Sequence, residues 1–194
     1  MPYTEVHIDT LSQLQKTYLL KLAREAIQYG LNTGSLIGIN FEQVDTTLLA
    51  QGCSFVTLHK ENELRGCVGA LAPYQSLIKD VIEHAFGAAF RDYRFHPVTQ
   101  DELAQLHIEI SVLTPQEPIF CKTEKQLLDQ IQPHKDGLTI EDGAAHATFL
   151  PTVWDSLPNK ETFLEHLKQK AGLTKQHWSK SINVYRYHTI SFAE

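Results

Sequence analysis

The sequence predicts an α+β protein built on a mixed, partly antiparallel sheet flanked by helices. Three observations carry this. Two alternating runs rich in β-formers, residues 54–60 and 64–71, are separated only by Glu61-Asn62-Glu63, which reads as a hairpin. A third run, residues 107–113, puts Ile108, Ile110 and Val112 on one face and His107, Glu109 and Ser111 on the other. Segments of helical periodicity lie between and around these strands, so helices and strands interleave while the hairpins require antiparallel pairing.

The first helix is signalled by Thr10 and Gln13 as a capping box. Leu14, Leu19, Leu22, Ala23, Ala26, Ile27 and Leu31 then recur at helical spacing, and Gly30 and Gly34 bracket the stop. Residues 35–50 mix glycine, acid and short apolar runs and read as a loop with a short strand. In the hairpin, Leu64, Val68 and Ala70 face one side, and Arg65, Cys67, Gly69 and Leu71 the other. Pro73 ends that strand.

A helix over residues 76–91 has a wide apolar stripe (Leu77, Val81, Ile82, Ala85, Phe86, Ala89, Phe90), so most of its circumference is buried. Its small residues suit close packing on a sheet, and His84, Ala88 and Arg91 form the remaining face. Thr99 and Glu102 form a second capping box that opens a short helix. Residues 122–131 make a helix packing Leu127, Leu128 and Ile131. The turn dipeptides Asp136-Gly137 and Asp142-Gly143 bracket a short strand, and another strand runs through residues 147–150. Residues 160–170 are amphipathic through Phe163, Leu164 and Leu167, with Gly172 as C-terminal cap. The chain ends on alternating Ile182, Val184 and Arg186, then Ile190 and Phe192.

At 194 residues the chain fits one sizeable domain, with a large and a smaller lobe interleaved in sequence, and it can bury a core without staples. The net charge of −6 argues against bulk nucleic-acid binding. Cys53, Cys67 and Cys121 cannot all pair and show no metal spacing. An odd count without a leader pattern points to reduced thiols in the cytoplasm. No apolar run is long enough to span a membrane. The ten histidines are scattered, with no HExxH pair, so neither a metal nor another cofactor is expected.

The most informative stretch is Leu64-Arg65-Gly66-Cys67-Val68-Gly69. Glycine at 66 and 69 lets another backbone or a ligand approach closely. Alternation puts Arg65 and Cys67 on one strand face, roughly 6–7 Å apart. A guanidinium at that distance favours a thiolate. The hexapeptide is therefore either a thiol site or a tightly packed structural strand, since free cysteine commonly serves as a small buried hydrophobe. No catalytic triad is visible. Around it, Glu109 on a strand face is a candidate acid or base, with Ser111 beside it. His84 is a candidate neighbour of the thiol. Arg94 is a candidate to reach an anion or the thiolate, or else to pair with Asp92 and fix a turn.

The hexapeptide resembles the hallmark LRGC(I/V)G of the AMMECR domain family, also called AmmeMemoRadiSam system protein A. The segment Ala88-Ala89-Phe90 followed by Asp92-Tyr93-Arg94-Phe95-His96-Pro97 is similar to the family's AAF-x-D-x-RF-x-P run. Residues 109–114 resemble its E-I-S-V-L-T strand. Asp136-Gly137-Leu138, Leu150-Pro151-x-Val153, Phe163-Leu164, Lys170-Ala171-Gly172-Leu173 and the terminal Phe192-Ala193-Glu194 follow in order. Tyr93 stands where many members have proline, and Trp154 with residues 155–158 departs from the usual sequence. The resemblance implies an α+β fold with a large lobe and a smaller one. It also implies company, because such proteins are commonly encoded beside, or fused to, a Memo-like protein and beside a radical S-adenosylmethionine enzyme. The expected function is an accessory role with those partners in a metabolic or modification pathway. The alternatives are a free-standing enzyme using Cys67 as nucleophile or redox thiol, with Arg65 and Glu109 or His84 assisting, and an RNA-associated role resting on Arg91 and Arg94.

Overall fold

The hairpin forms where the alternation places it, and the rest of the first sheet is laid against it. The computed structural model describes residues 11–194. In chain order its elements are α1 (Gln13–Thr33), α2 (Thr46–Leu49), β1 (Cys53–Lys60), β2 (Glu63–Gly69), α3 (Leu77–Phe90), β3 (Leu106–Leu113) and β4 (Glu117–Pro118). They continue with α4 (Glu124–Gln130), β5 (Gly137–Asp142), β6 (Ala145–Phe149), α5 (Lys160–Lys170), β7 (Asn183–Tyr187) and β8 (Thr189–Ala193). The chain divides into two compact units. One takes the residues up to Thr114 together with Ile190–Glu194, and the other takes Pro115–Thr189.

The first unit contains a four-stranded sheet in the order β2-β1-β3-β8. β1 and β2 are joined by Glu61 and Asn62, both with positive φ (54° and 66°). That backbone twist matches the strands of a two-residue hairpin. β3 pairs antiparallel on the other side of β1, with Val56 opposite Ile110. β8 runs antiparallel to β3: Ser111 and Ser191 share a hydroxyl hydrogen bond of 2.7 Å, and the Glu194 N–H donates to the Ile108 carbonyl.

One face of this sheet carries Val56, Leu58, Ile108, Ile110 and Val112, all fully buried under α3 and α1. α3 packs on β1 and β2, and α1 packs on α3. The wide apolar stripe of α3 is borne out. Of the remaining face, His84 and Ala88 are buried too, in the interior with Asp80, and Arg91 alone is exposed.

Several boundaries differ from the expectation. α1 is capped by Ser12, whose hydroxyl accepts from the Gln15 N–H while the Gln15 side chain accepts from the Ser12 N–H. The predicted cap Thr10 lies outside the described residues. Leu14 is off the stripe and exposed. Residues 35–50 hold a 3-10 turn (Phe41–Gln43) and α2, not a strand, because Asn40 and Asp45 each cap a turn with their side chains. The Thr99–Glu102 box closes on its carboxylate half, Glu102 accepting from the Thr99 N–H, but only a 3-10 turn over Leu103–Gln105 follows.

The largest correction is in β2. Leu58 faces Gly66 while His59 faces Leu64, so Arg65 is an extra residue in the ladder. A bulge of this kind flips the alternation beyond it. Leu64 therefore belongs to the face of Cys67, not to that of Val68.

The second unit is a four-stranded sheet in the order β4-β7-β5-β6. Its core is Leu127, Leu138, Ile140, Trp154, Phe163, Leu164 and Leu167. Trp154 is fully buried and stacks on Phe163 at 3.6 Å between ring centroids; its indole N–H donates to the Asp136 carbonyl. Gly143 turns β5 into β6 with φ 61°. α5 spans the predicted residues.

Candidate functional site

β2 is an edge strand, and an edge leaves backbone groups unpaired. At Cys67 two side chains from the loop after α3 take the place of a neighbouring strand. The Cys67 N–H donates to Asp92 Oδ2 at 2.9 Å, and Arg94 Nη2 donates to the Cys67 carbonyl at 3.3 Å. Asp92 and Arg94 are themselves locked together through Nε–Oδ1 at 2.9 Å and Nη2–Oδ2 at 2.7 Å. The Arg94 N–H also donates to Asp92 Oδ1, which tightens the turn. Asp92 is buried and Arg94 reaches solvent. The Arg94 hydrogen bonds, helped by the Cys67 N–H, hold the Asp92 carboxyl well below the usual carboxylate range against the opposing effect of burial.

One step along the strand a second pair repeats the arrangement. Arg65 donates to Glu102 through Nε at 3.1 Å and Nη2 at 2.9 Å, and Lys60 Nζ adds a third bond at 3.1 Å. Arg65 first, with the Thr99 N–H and Lys60 assisting, lowers the Glu102 carboxyl to about 2. Nη1 of Arg65 is buried and has no hydrogen-bond partner among the described residues.

Together the two pairs frame a cavity of about 500 Å³, lined among others by Arg65, Tyr93, Arg94, Phe95, His96 and Glu102. The Phe95 ring lies 6.0 Å from the Arg65 guanidinium and 5.5 Å from that of Arg94. Tyr93 is 96% exposed at the rim.

The groups expected beside the thiol are engaged elsewhere. Arg65 is committed to Glu102, and the guanidinium in contact with Cys67 is that of Arg94, through the carbonyl. The Cys67 sulfur accepts a hydrogen bond from Thr57 Oγ1 at 3.3 Å. Thr57 is its cross-strand partner in the register, where side chains approach closely. Glu109 lies next across the sheet, opposite Thr57, but its carboxylate sits 3.6 Å from His59 Nε2. Ser111 bonds Ser191. His84 does not reach the thiol: its Nδ1 stands 3.1 Å from Asp80 Oδ2 inside the core, and the same oxygen accepts from the Ser54 N–H and hydroxyl. Burial pushes the Cys53 thiol up to about 12 and raises that of Cys121.

Gly66 and Gly69 serve packing. A Cβ on Gly66 would run into the Ala88 carbonyl of α3, and one on Gly69 would strike the Phe55 ring and the Ser54 carbonyl oxygen. Gly66 thus lets α3 seat directly on β2, Gly69 makes room for β1, and α3 in turn delivers Asp92 and Arg94 to the strand edge.

Sequence reasoning missed Asp80, Thr57 and the role of Glu102. The i, i+4 spacing of Asp80 and His84 on one helix was a usable signal for the first. Thr57 follows from hairpin register, but only once the turn length is known. No local pattern announces that Glu102 pairs with a residue 37 positions away.

Among the described residues no helix is long and apolar enough to cross a membrane, and among the same residues no group of three or more His, Cys, Asp or Glu is placed to hold a metal ion. An α+β chain with a glycine-bearing edge strand sealed by an Asp-x-Arg loop is a definite class of protein, and the comparisons place it. Residues 20–192 match the model of the AMMECR1 family, and the chain belongs to that family. A protein of Methanocaldococcus jannaschii is 36% identical over 186 residues, covering 92% of this chain and 89% of its own. One of Methanothermobacter thermautotrophicus is 36% identical over 190 residues, covering 95% and 96%. The crystal structure of an uncharacterised protein of Pyrococcus horikoshii superposes with a TM-score of 0.80 at 34% identity, covering 91% of this chain and 90% of that one.

Proposed function

We propose that this protein is a cytoplasmic accessory component that works beside Memo-like and radical S-adenosylmethionine proteins in a metabolic or modification pathway. Its working surface is the pocket at the β2 edge. One observation carries the preference for binding over thiol catalysis. The two arginines beside Cys67 are each engaged in an ion pair, Arg94 with Asp92 and Arg65 with Glu102, and the sulfur's one hydrogen bond among the described residues comes from the Thr57 hydroxyl. A base-activated nucleophile has its base within hydrogen-bond reach, and no histidine or carboxylate among the described residues hydrogen-bonds this sulfur. Fixed, paired arginines around a cavity are what a preorganised binding site needs. Membership of the AMMECR1 family supports the choice of partners.

The test is affinity purification of the tagged full chain from its own host, with the bound proteins identified by mass spectrometry. Reproducible recovery of a Memo-like or radical S-adenosylmethionine protein is expected. Recovery of neither, at high concentration and low salt, overturns the accessory role.

A further inference from the structure

We infer that the pocket at the β2 edge holds a small organic oxyanion, a planar ring system bearing a phosphate or carboxylate. The inference rests on reading that pocket as a binding site and names what it binds.

The charge inventory comes first. The two ion-pair groups beside the cavity contain three cations (Lys60, Arg65, Arg94) and two carboxylates (Asp92, Glu102). Asp92 does not line the cavity, so the lining itself sets two guanidiniums against one carboxylate. Glu102 is the group that would repel an anion. It already accepts from Arg65 twice, from Lys60, and from the Thr99 N–H and hydroxyl. Its charge is spread over those donors, and a surplus of one positive charge is left.

The second observation is an orphan. A buried polar atom without a partner is rare and calls for a reason. Nη1 of Arg65 is such an atom, on a side chain that lines the cavity. Arg94 is held along one edge by Asp92 and the Cys67 carbonyl, yet its side chain is 45% exposed. An oxyanion entering the cavity meets the exposed Arg94 guanidinium directly and reaches Arg65 Nη1, which is buried, once the Arg65 side chain turns toward it, with His96 and Thr99 also on the wall.

The third observation is size and surface. About 500 Å³ is the volume of a site for an organic molecule and far exceeds the needs of a bare inorganic ion. The walls beyond the arginines are Tyr93, Phe95 and Pro97. A flat ring can stack on the exposed Tyr93 or on the open face of the Arg94 guanidinium, whose other neighbour is Phe95.

The test is an NMR titration of the isotope-labelled full chain with four probes: adenosine monophosphate, 2-naphthoate, adenosine and inorganic phosphate. Saturable one-to-one binding of a planar anion is expected, with shifts centred on residues 92–102 and weakened by salt. Adenosine binds at least about tenfold more weakly than its monophosphate. The stronger of the monophosphate and the naphthoate tells phosphate ester from carboxylate. Arg94→Met weakens the anion about tenfold, whereas Lys79→Met, a lysine outside this cavity, leaves it unchanged. Because Arg94→Met can loosen the Asp92 turn, Glu102→Gln is the second variant. It removes the repelling carboxylate and tightens anion binding about threefold, a gain that a purely structural role does not produce. The inference is overturned if neither planar anion saturates below about 10 mM, or if adenosine binds as tightly as its monophosphate. It is equally overturned if Lys79→Met weakens the anion as much as Arg94→Met, or if Glu102→Gln fails to tighten it. Failed titrations alongside successful partner recovery would discard the ligand and keep the accessory role; the reverse pattern would do the opposite.

Discussion

Replacing Gly66 by alanine tests the packing that makes the site. The added Cβ meets the backbone of Ala88: it lies 3.1 Å from the carbonyl carbon and closer still to the oxygen. Carbon atoms prefer 3.5–4.0 Å, and neither backbone can rotate aside as a side chain would. α3 must lift from β2 by about 1 Å. Overpacking of this kind costs roughly 1–3 kcal/mol, and the upper end applies where backbone meets backbone. Loss of the glycine's unfolded-state freedom returns about 0.4–1 kcal/mol. A net loss of about 2 kcal/mol is expected, which lowers the thermal midpoint by roughly 4–8 °C in a chain of this size. Thermal unfolding followed by circular dichroism reads it directly. Gly38→Ala is the matched control, since nothing lies within 4 Å of its Cβ position and its φ is not positive. That variant is neutral or slightly more stable. Equal midpoints for Gly66→Ala and wild type, or an equal loss for Gly38→Ala, would refute the claim that Gly66 sets the helix–sheet distance.

Other perturbations reach the same network from different sides. Timed alkylation of the native protein labels Cys67 first and Cys53 last, because burial pushes the Cys53 thiol to about 12; labelling of Cys53 ahead of Cys67 contradicts the burial pattern. Asp92→Ala leaves the Cys67 N–H and the Arg94 guanidinium without their acceptor and costs about 1–3 kcal/mol in denaturant unfolding; an unchanged midpoint would mean the edge is not sealed by this loop. Glu102 falls from an ordinary 4.5 to about 2 in the folded protein, and Asp92 is depressed as well. A depressed carboxyl stabilises the fold above its unfolded value and loses that contribution as pH falls toward its folded value. The stability advantage of wild type over Glu102→Gln is therefore constant above about pH 5.5 and shrinks toward pH 2, as denaturation at stepped pH will show; an advantage that grows on acidification reverses the sign.

Much of the fold is readable from periodicity. Residues 54–60, 107–113 and 160–170 each carry one strong repeat, and the strands and helix form there. The α+β class follows from that interleaving. The positions misread are those where non-local pairing overrides a local pattern. The Arg65 bulge is invisible to alternation because nothing in Leu64-Arg65-Gly66 marks an extra residue until β1 sets the register. It moves Leu64 across the sheet and lets Arg65 meet Glu102 instead of the thiol. His84 looked available for Cys67 because the burial of Asp80, which captures it, is a tertiary fact. The Asp92–Arg94 pair was legible as a turn-forming ion pair, since only Tyr93 separates the charges; its attachment to the Cys67 backbone was not, because edge strands declare themselves only in the assembled sheet.

The central claim is that the sealed β2 edge, and not the thiol, is the working part of this protein. The most direct measurement compares Cys67→Ser and Arg94→Met baits with wild type in quantitative recovery of the Memo-like and radical S-adenosylmethionine proteins from the native host. Wild-type recovery is expected with Cys67→Ser and a clear loss with Arg94→Met. Loss with Cys67→Ser and full recovery with Arg94→Met would contradict it and return the thiol to the centre.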